Sequence, residues 1–268
     1  MKHIVCFSGG HSSALAAIET VRKYGKSDVI LLNHDISPHV EHEDIKRFKR
    51  EVADYLELPI TPANMPGWET TPPLAVAVAN KAFKAFNHPA FCTSRLKTEP
   101  FYKWLNEHGT KGDEVIYGFD AEETNRVARR AAVMADMGYK AVFPLADWPR
   151  TICATEEVGI QRPTTYQIFK HANCIGCLKA GRQHWYCVFC LRPDIWEEAK
   201  EAEEIIGYSI IKGAFLKELE PKFQEMRDVL KIVPTDKTSS ARFWADVKKA
   251  LPQEDTAMCD CTEEEESL

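Results

Sequence analysis

The 268-residue sequence has no long hydrophobic run, and no stretch approaches the eighteen or more apolar residues that a bilayer-crossing helix needs. This predicts a chain with no membrane partner. There is no basic-then-apolar leader either: Met1-Lys2-His3 leads straight into a short apolar segment and two glycines. The expectation is therefore a cytoplasmic protein. In a reducing compartment nine cysteines argue for metal, cluster or redox chemistry and against a disulfide framework. No Gly-Lys-Ser/Thr follows the glycines, which excludes the Walker pattern. Net charge is scarce too. The formal −6 resides in Pro252 to Leu268, where seven acidic residues stand without a Lys or Arg, so the body is near neutral. Charge neither supports nor excludes a nucleic-acid substrate.

Apolar runs alternate with helical patterns. His3 to Phe7, Asp28 to Asn33, Glu114 to Gly118 and Tyr139 to Pro144 read as strands, some buried on both faces. A helix is expected from His11, and Ile45, Phe48, Val52, Tyr55 and Leu56 recur at helical spacing between about Glu41 and Glu57. A Pro-rich connection (Pro59, Pro62, Pro66) leads to a helix over about Pro73 to Phe86, and a further helix runs through Arg126 to Asp136. The prediction is an α/β fold with a doubly wound parallel sheet in residues 1–150. Residues 151–251 form a Cys-rich and helical region that includes a helix over about Pro193 to Gly207, and residues 252–268 an acidic flexible tail. Ligands of such sheets bind beyond the strands' carboxyl ends. Those ends carry Ser8-Gly9-Gly10, then Asn33-His34-Asp35, then Gly118 with Glu122 and Glu123.

The segment Ser8-Gly9-Gly10-His11-Ser12-Ser13 lies where the first strand passes into the first helix. Adjacent glycines permit backbone conformations closed to other residues and let an anion approach. The serines add hydroxyl donors, and the helix start adds unpaired N–H groups with the positive end of its dipole behind them. Together they read as a phosphate cradle, the alternative being a plain glycine turn.

Cys174-Ile-Gly-Cys177 and Cys187-Val-Phe-Cys190 are two CxxC pairs that read as a tetrahedral zinc site. The rival reading joins Cys92 to Cys174 and Cys177 in an iron–sulfur cluster. A third packs Cys187 and Cys190 as core beside Trp185, Tyr186 and Phe189. Cys6 and Cys153 read as core residues, and Cys259 and Cys261 as either mobile nucleophiles or an incidental pair. Arg182, His184, Trp185 and Tyr186 read as packing or as contacts to an acceptor base.

Four landmarks now resemble the PP-loop ATP pyrophosphatase superfamily, and within it the phosphoadenylyl-sulfate reductase-like branch. They are Phe7-Ser-Gly-Gly-His-Ser-Ser13, Cys92-Thr-Ser-Arg-Leu-Lys-Thr-Glu-Pro100, Gly118-Phe-Asp-Ala-Glu-Glu-Thr-Asn-Arg126, and Pro144-Leu-Ala-Asp-Trp148 leading to Asn173-Cys-Ile-Gly-Cys-Leu-Lys179. The resemblance implies an adenine nucleotide alpha hydrolase-like sheet. ATP with Mg²⁺, or a sulfonucleotide, would be held by Ser8, Gly9, Gly10, Ser12, Ser13, Asp35, Gly118 and Glu123. Lys97, Arg126 and Cys92 would act at the reacting groups. It further implies a [4Fe–4S] cluster or zinc on Cys92, Cys174 and Cys177 with Cys187 or Cys190. Thr93 stands where cluster-bearing relatives have a second cysteine, and Ser12 where many carry an acidic residue. The expected function is an ATP pyrophosphatase-type, adenylating sulfurtransferase that takes sulfur from a donor to an acceptor (tRNA, DNA or a small molecule). The alternatives are a sulfonucleotide reductase with a thiol nucleophile, and a non-enzymatic nucleotide-binding module with structural zinc.

Overall fold

A computed structural model describes residues 1–84, 90–172 and 174–251. Five strands, β1 (His3–Cys6), β2 (Val29–Asn33), β3 (Ile60–Pro62), β4 (Glu114–Ile116) and β5 (Lys140–Val142), form one all-parallel sheet in the order β3-β2-β1-β4-β5. The α/β architecture with a parallel sheet is thus as expected. Successive side chains leave a strand on opposite faces. Ile4, Leu32 and Val115 accordingly enter one apolar cluster, while Val5, Leu31 and Ile116 enter another. Apolar residues at both parities make the sheet stable only when helices cover both faces.

On one face lie α1 (His11–Tyr24) and α2 (Glu43–Leu56), contributing Leu15, Ile18, Phe48 and Val52. His42 caps α2, its ring accepting the N–H of Asp44. On the other face lie α5 (Glu99–His108) and α6 (Thr124–Asp136), contributing Phe101, Trp104, Leu105 and Met134. Between β3 and β4 come α3 (Pro73–Ala79) and α4 (Phe91–Thr93), and α4 continues through a π-helical turn, Ser94–Thr98, into α5. The cause of the turn is local. Pro100 has no N–H to give the carbonyl four residues back, and Glu99 N–H instead donates five back, to Ser94. A short α7 (Pro144–Asp147) follows β5.

Helices α8 (Arg182–Leu191), α9 (Pro193–Ile206), α10 (Leu216–Asp228) and α11 (Ser240–Ala250) build a third cluster around Trp185, Tyr186, Trp196 and Phe223. Ile36, Val40, Leu74 and Ala77 belong to it too, so this core crosses the boundary expected at residue 150.

Two elements differ from expectation. β3 lies inside the segment read as a Pro-rich connection; Pro62 is tolerated because it ends an edge strand. The helix from Pro73 stops at Ala79, with Lys81 at φ 49° just beyond, and Phe86 lies outside the described residues. The acidic tail with Cys259 and Cys261 also lies outside them.

The order of strands reverses direction between β1 and β4, which places the crevice beyond their carboxyl ends. There the chain leaving β4 presses on the start of α1. A Cβ on Gly118 would lie 2.5 Å from the carbonyl oxygen of Ser12. Gly118→Ala is expected to destabilise the protein by about 1–3 kcal/mol, read as a lower urea midpoint with an unchanged slope.

Candidate functional site

The turn between β1 and α1 is built from within. Gly9 takes φ +81° and lies beneath Lys49, whose Cγ would be 2.8 Å from an added Cβ. Ser13 Oγ donates to the carbonyl of Gly10 at 2.8 Å and accepts from Ser8 Oγ at 3.3 Å. Ser13 is therefore committed to the shape of the turn, whereas Ser8 is exposed and lines the crevice. The N–H of His11 donates to Tyr166 Oη at 3.0 Å, and His11 Nε2 accepts the N–H of Thr155 at 3.3 Å. A hydroxyl oxygen thus sits against the start of α1, where the cradle argument calls for an oxygen acceptor.

Asp35, expected at the nucleotide, is held by two ammonium groups, Lys46 at 2.7 Å and Lys49 at 3.2 Å. Burial pushes its pKa up, but these cations outweigh burial and hold the carboxyl below its ordinary value. Lys49 also pairs with the buried Glu41 at 2.8 Å.

Three cavities adjoin at Lys97, which lines all of them. The first, about 140 Å³, runs from Ser8 past Cys6, His34 and Glu41 to Cys174. The second, about 80 Å³, is walled by Cys92, Cys174, Cys177 and Lys179. The third, about 140 Å³, brings Cys6, His34, Tyr117 and Arg130 around the same lysine. Among the described residues Lys97 forms no ion pair, and the buried His34 Nε2 has no hydrogen-bond partner. A group of this kind facing a cavity with an uncompensated cation is suited to an anionic, hydrogen-bonding ligand.

The sequence-predicted residues divide. Ser8, Lys97, Cys92, Cys174 and Cys177 come together. Gly9, Gly10 and Ser12 form the turn and the first turn of α1. Arg126 does not join them: it is exposed, paired with Glu123 and stacked 4.2 Å over Phe119. Glu123 is engaged with Arg126 and accepts the N–H of Asp120 at 3.1 Å. The arginine that reaches the crevice is Arg130, one helical turn on, 5.3 Å over the Tyr117 ring. The i, i+4 spacing puts Arg126 and Arg130 on one face of α6 and does not choose between them. Gly118 acts as a spacer for backbone contact.

The seven described cysteines are free thiols. Burial pushes the Cys6 thiol up to about 12 and raises Cys92 and Cys174, for which Lys97 is a partial offset. Cys187 and Cys190 do not share the cysteine-walled cavity. Cys187 is fully buried in α8, and burial raises both thiols. The ligand set expected to include them is corrected on that ground, since a helix in the core keeps their side chains among Tyr186 and its neighbours. Cys153, expected in the core, is exposed. Among the described residues no three His, Cys, Asp or Glu side chains are gathered as a metal-holding group. Cys92, Cys174 and Cys177 line one cavity. Trp185 and Tyr186 are core, and Arg182 is exposed.

Over 208 residues the chain is 31% identical to the uncharacterized nin region protein ORF290 of Escherichia phage lambda, an alignment covering 68% of each protein. The chain belongs to the family of that phage protein. No model of a described protein family matches it, and no solved structure does.

His34 provides a test of the geometry. Burial, then the charge of Lys97, lowers its pKa from 6.5 to about 4. The folded state thus keeps the ring neutral while the unfolded chain would bind a proton. The resulting stability is full above about pH 6.5 and is lost progressively as pH falls toward 4, by roughly 3 kcal/mol. The imidazole resonances should titrate near the lower value, and Lys97→Met should move that midpoint upward.

Proposed function

We propose that this protein is a nucleotide-dependent sulfur-transfer enzyme of the PP-loop ATP pyrophosphatase type, related to phosphoadenylyl-sulfate reductases. The observation that carries the reading is Lys97, shared by adjoining cavities that join the glycine turn to three cysteines. Phosphates of ATP would lie on the backbone of Ser8, Gly9 and Gly10 and on the N-terminus of α1, with the Tyr166 hydroxyl displaced. An acceptor oxygen attacks the α-phosphorus, and pyrophosphate leaves with the electron pair of the broken P–O bond.

Lys97 acts as a point charge and Arg130 as a planar fork on the phosphoryl oxygens, so their contribution is positioning and electrostatics. A persulfide donor passes its outer, sulfane sulfur to the thiolate of one of Cys92, Cys174 and Cys177, and its S–S bond breaks to leave the donor as a thiolate. The outer sulfur of the cysteine persulfide so formed attacks the activated carbon and AMP leaves. A neighbouring thiolate then attacks the cysteine sulfur, which releases the thiolated acceptor and leaves a disulfide for an external thiol to reduce. No step passes through zinc or a cluster.

A sulfonucleotide reductase is the second reading, favoured by neutral Ser12 where ATP–Mg²⁺ relatives carry an acid. Pyrophosphate release from ATP separates the two, since the reductase would produce none.

Gly10→Val or Ser8→Trp should weaken nucleotide binding at least tenfold, read by equilibrium titration. Lys97→Met and Arg130→Met should each lower turnover by about 10²-fold, while Arg126→Met leaves it within about twofold. Equal losses from Arg126→Met and Arg130→Met would overturn the assignment of Arg130.

A further inference from the structure

A cavity of about 610 Å³ adjoins the cysteine-walled one and shares Leu178 and Lys179 with it. Lys84, Lys179, Arg182 and Lys212 line it, and no acidic side chain does. All four are exposed, and among the described residues none forms an ion pair. In a body of near-zero charge, four uncompensated cations around one cavity are a local device. An adjoining cavity of about 280 Å³ adds Lys170 and His171 to the lining, together with Asp236, which is paired with His184. Lys179 belongs to both, and to the cavity walled by Cys92, Cys174 and Cys177. The groove therefore opens onto the thiols.

We propose that this groove binds a single strand of nucleic acid and presents it to the cysteine-walled cavity as the sulfur acceptor. The acceptor role rests on the sulfur-transfer reading above, while strand binding does not. A single phosphate is satisfied by two or three donors. Cations spread over two joined cavities suit successive phosphates of a chain, the arrangement by which single strands are tracked. The volume suits a nucleotide unit, and Tyr208 stands partly exposed on the groove wall.

The test is fluorescence anisotropy with labelled single-stranded RNA, single-stranded DNA and duplex, from about 50 to 200 mM salt, with ATP binding measured in parallel. A single strand contacting four groove cations should give a slope of log K against log salt near about −3. Arg182→Glu with Lys212→Glu should weaken binding at least tenfold at low salt and flatten the slope by about 1.4. Arg182→Lys with Lys212→Arg, which keeps the charges, should bind as the parent does. RNA-only or DNA-only binding of this kind supports the proposal and identifies the strand. Preference for duplex, competition by tripolyphosphate at equal phosphate concentration, or unchanged affinity on charge reversal overturns it. Strand binding lost with ATP binding intact removes the groove alone, and strand binding without ATP binding leaves the groove standing while the glycine-turn reading falls.

Discussion

One buried ammonium holds the site's framework together. Lys49 Nζ lies between Glu41 and Asp35, with 4% of the Lys49 side chain and 5% of the Glu41 side chain exposed. Charges withdrawn from water in this way cost several kcal/mol unless their pairing geometry is kept, and removing one partner strands the other. The stem of the same lysine lies across Gly9 and fits only because that residue has no side chain. A single side chain therefore fixes the glycine turn after β1, the chain leaving β2, and α2 that carries it. Lys46 adds a second cation to the same carboxylates.

Much of the layered fold was legible because alternation to two apolar faces leaves a direct trace in β1, β2 and β4. β3 left none: three residues, one of them proline, cannot show a period, and its place was fixed by pairing with β2. The long cationic and aromatic stretch from Arg182 to Tyr186 was ambiguous in sequence for a different reason. Four consecutive residues, Gln183 to Tyr186, are sealed in the core and only Arg182, at the start of the helix, is exposed and faces the groove.

In the site, residues fixed by backbone geometry were readable and those chosen by helix phase were not. Ser8, Lys97 and the three crevice cysteines could be named from local motifs. Arg126 and Arg130 share a face of α6, and only the stacking on Phe119 and Tyr117 decides which guanidinium is spent on the surface. Cys187 and Cys190 have ligand spacing, yet the helix around them is committed to the core by Trp185, Phe189 and Trp196. Spacing alone does not distinguish a thiol pair aimed at an ion from one aimed at its neighbours.

The π-helical turn before Pro100 has a geometric consequence of its own. Each residue of an α-helix advances the side chain by about 100° around the axis, so the extra residue in the wide turn works as an angular key between Cys92 and Lys97. Deleting one residue there would straighten the rod and swing the thiol about a quarter-turn from the ammonium, with the overall architecture unaltered. Chain length between these two positions is thus a mechanical setting of the crevice.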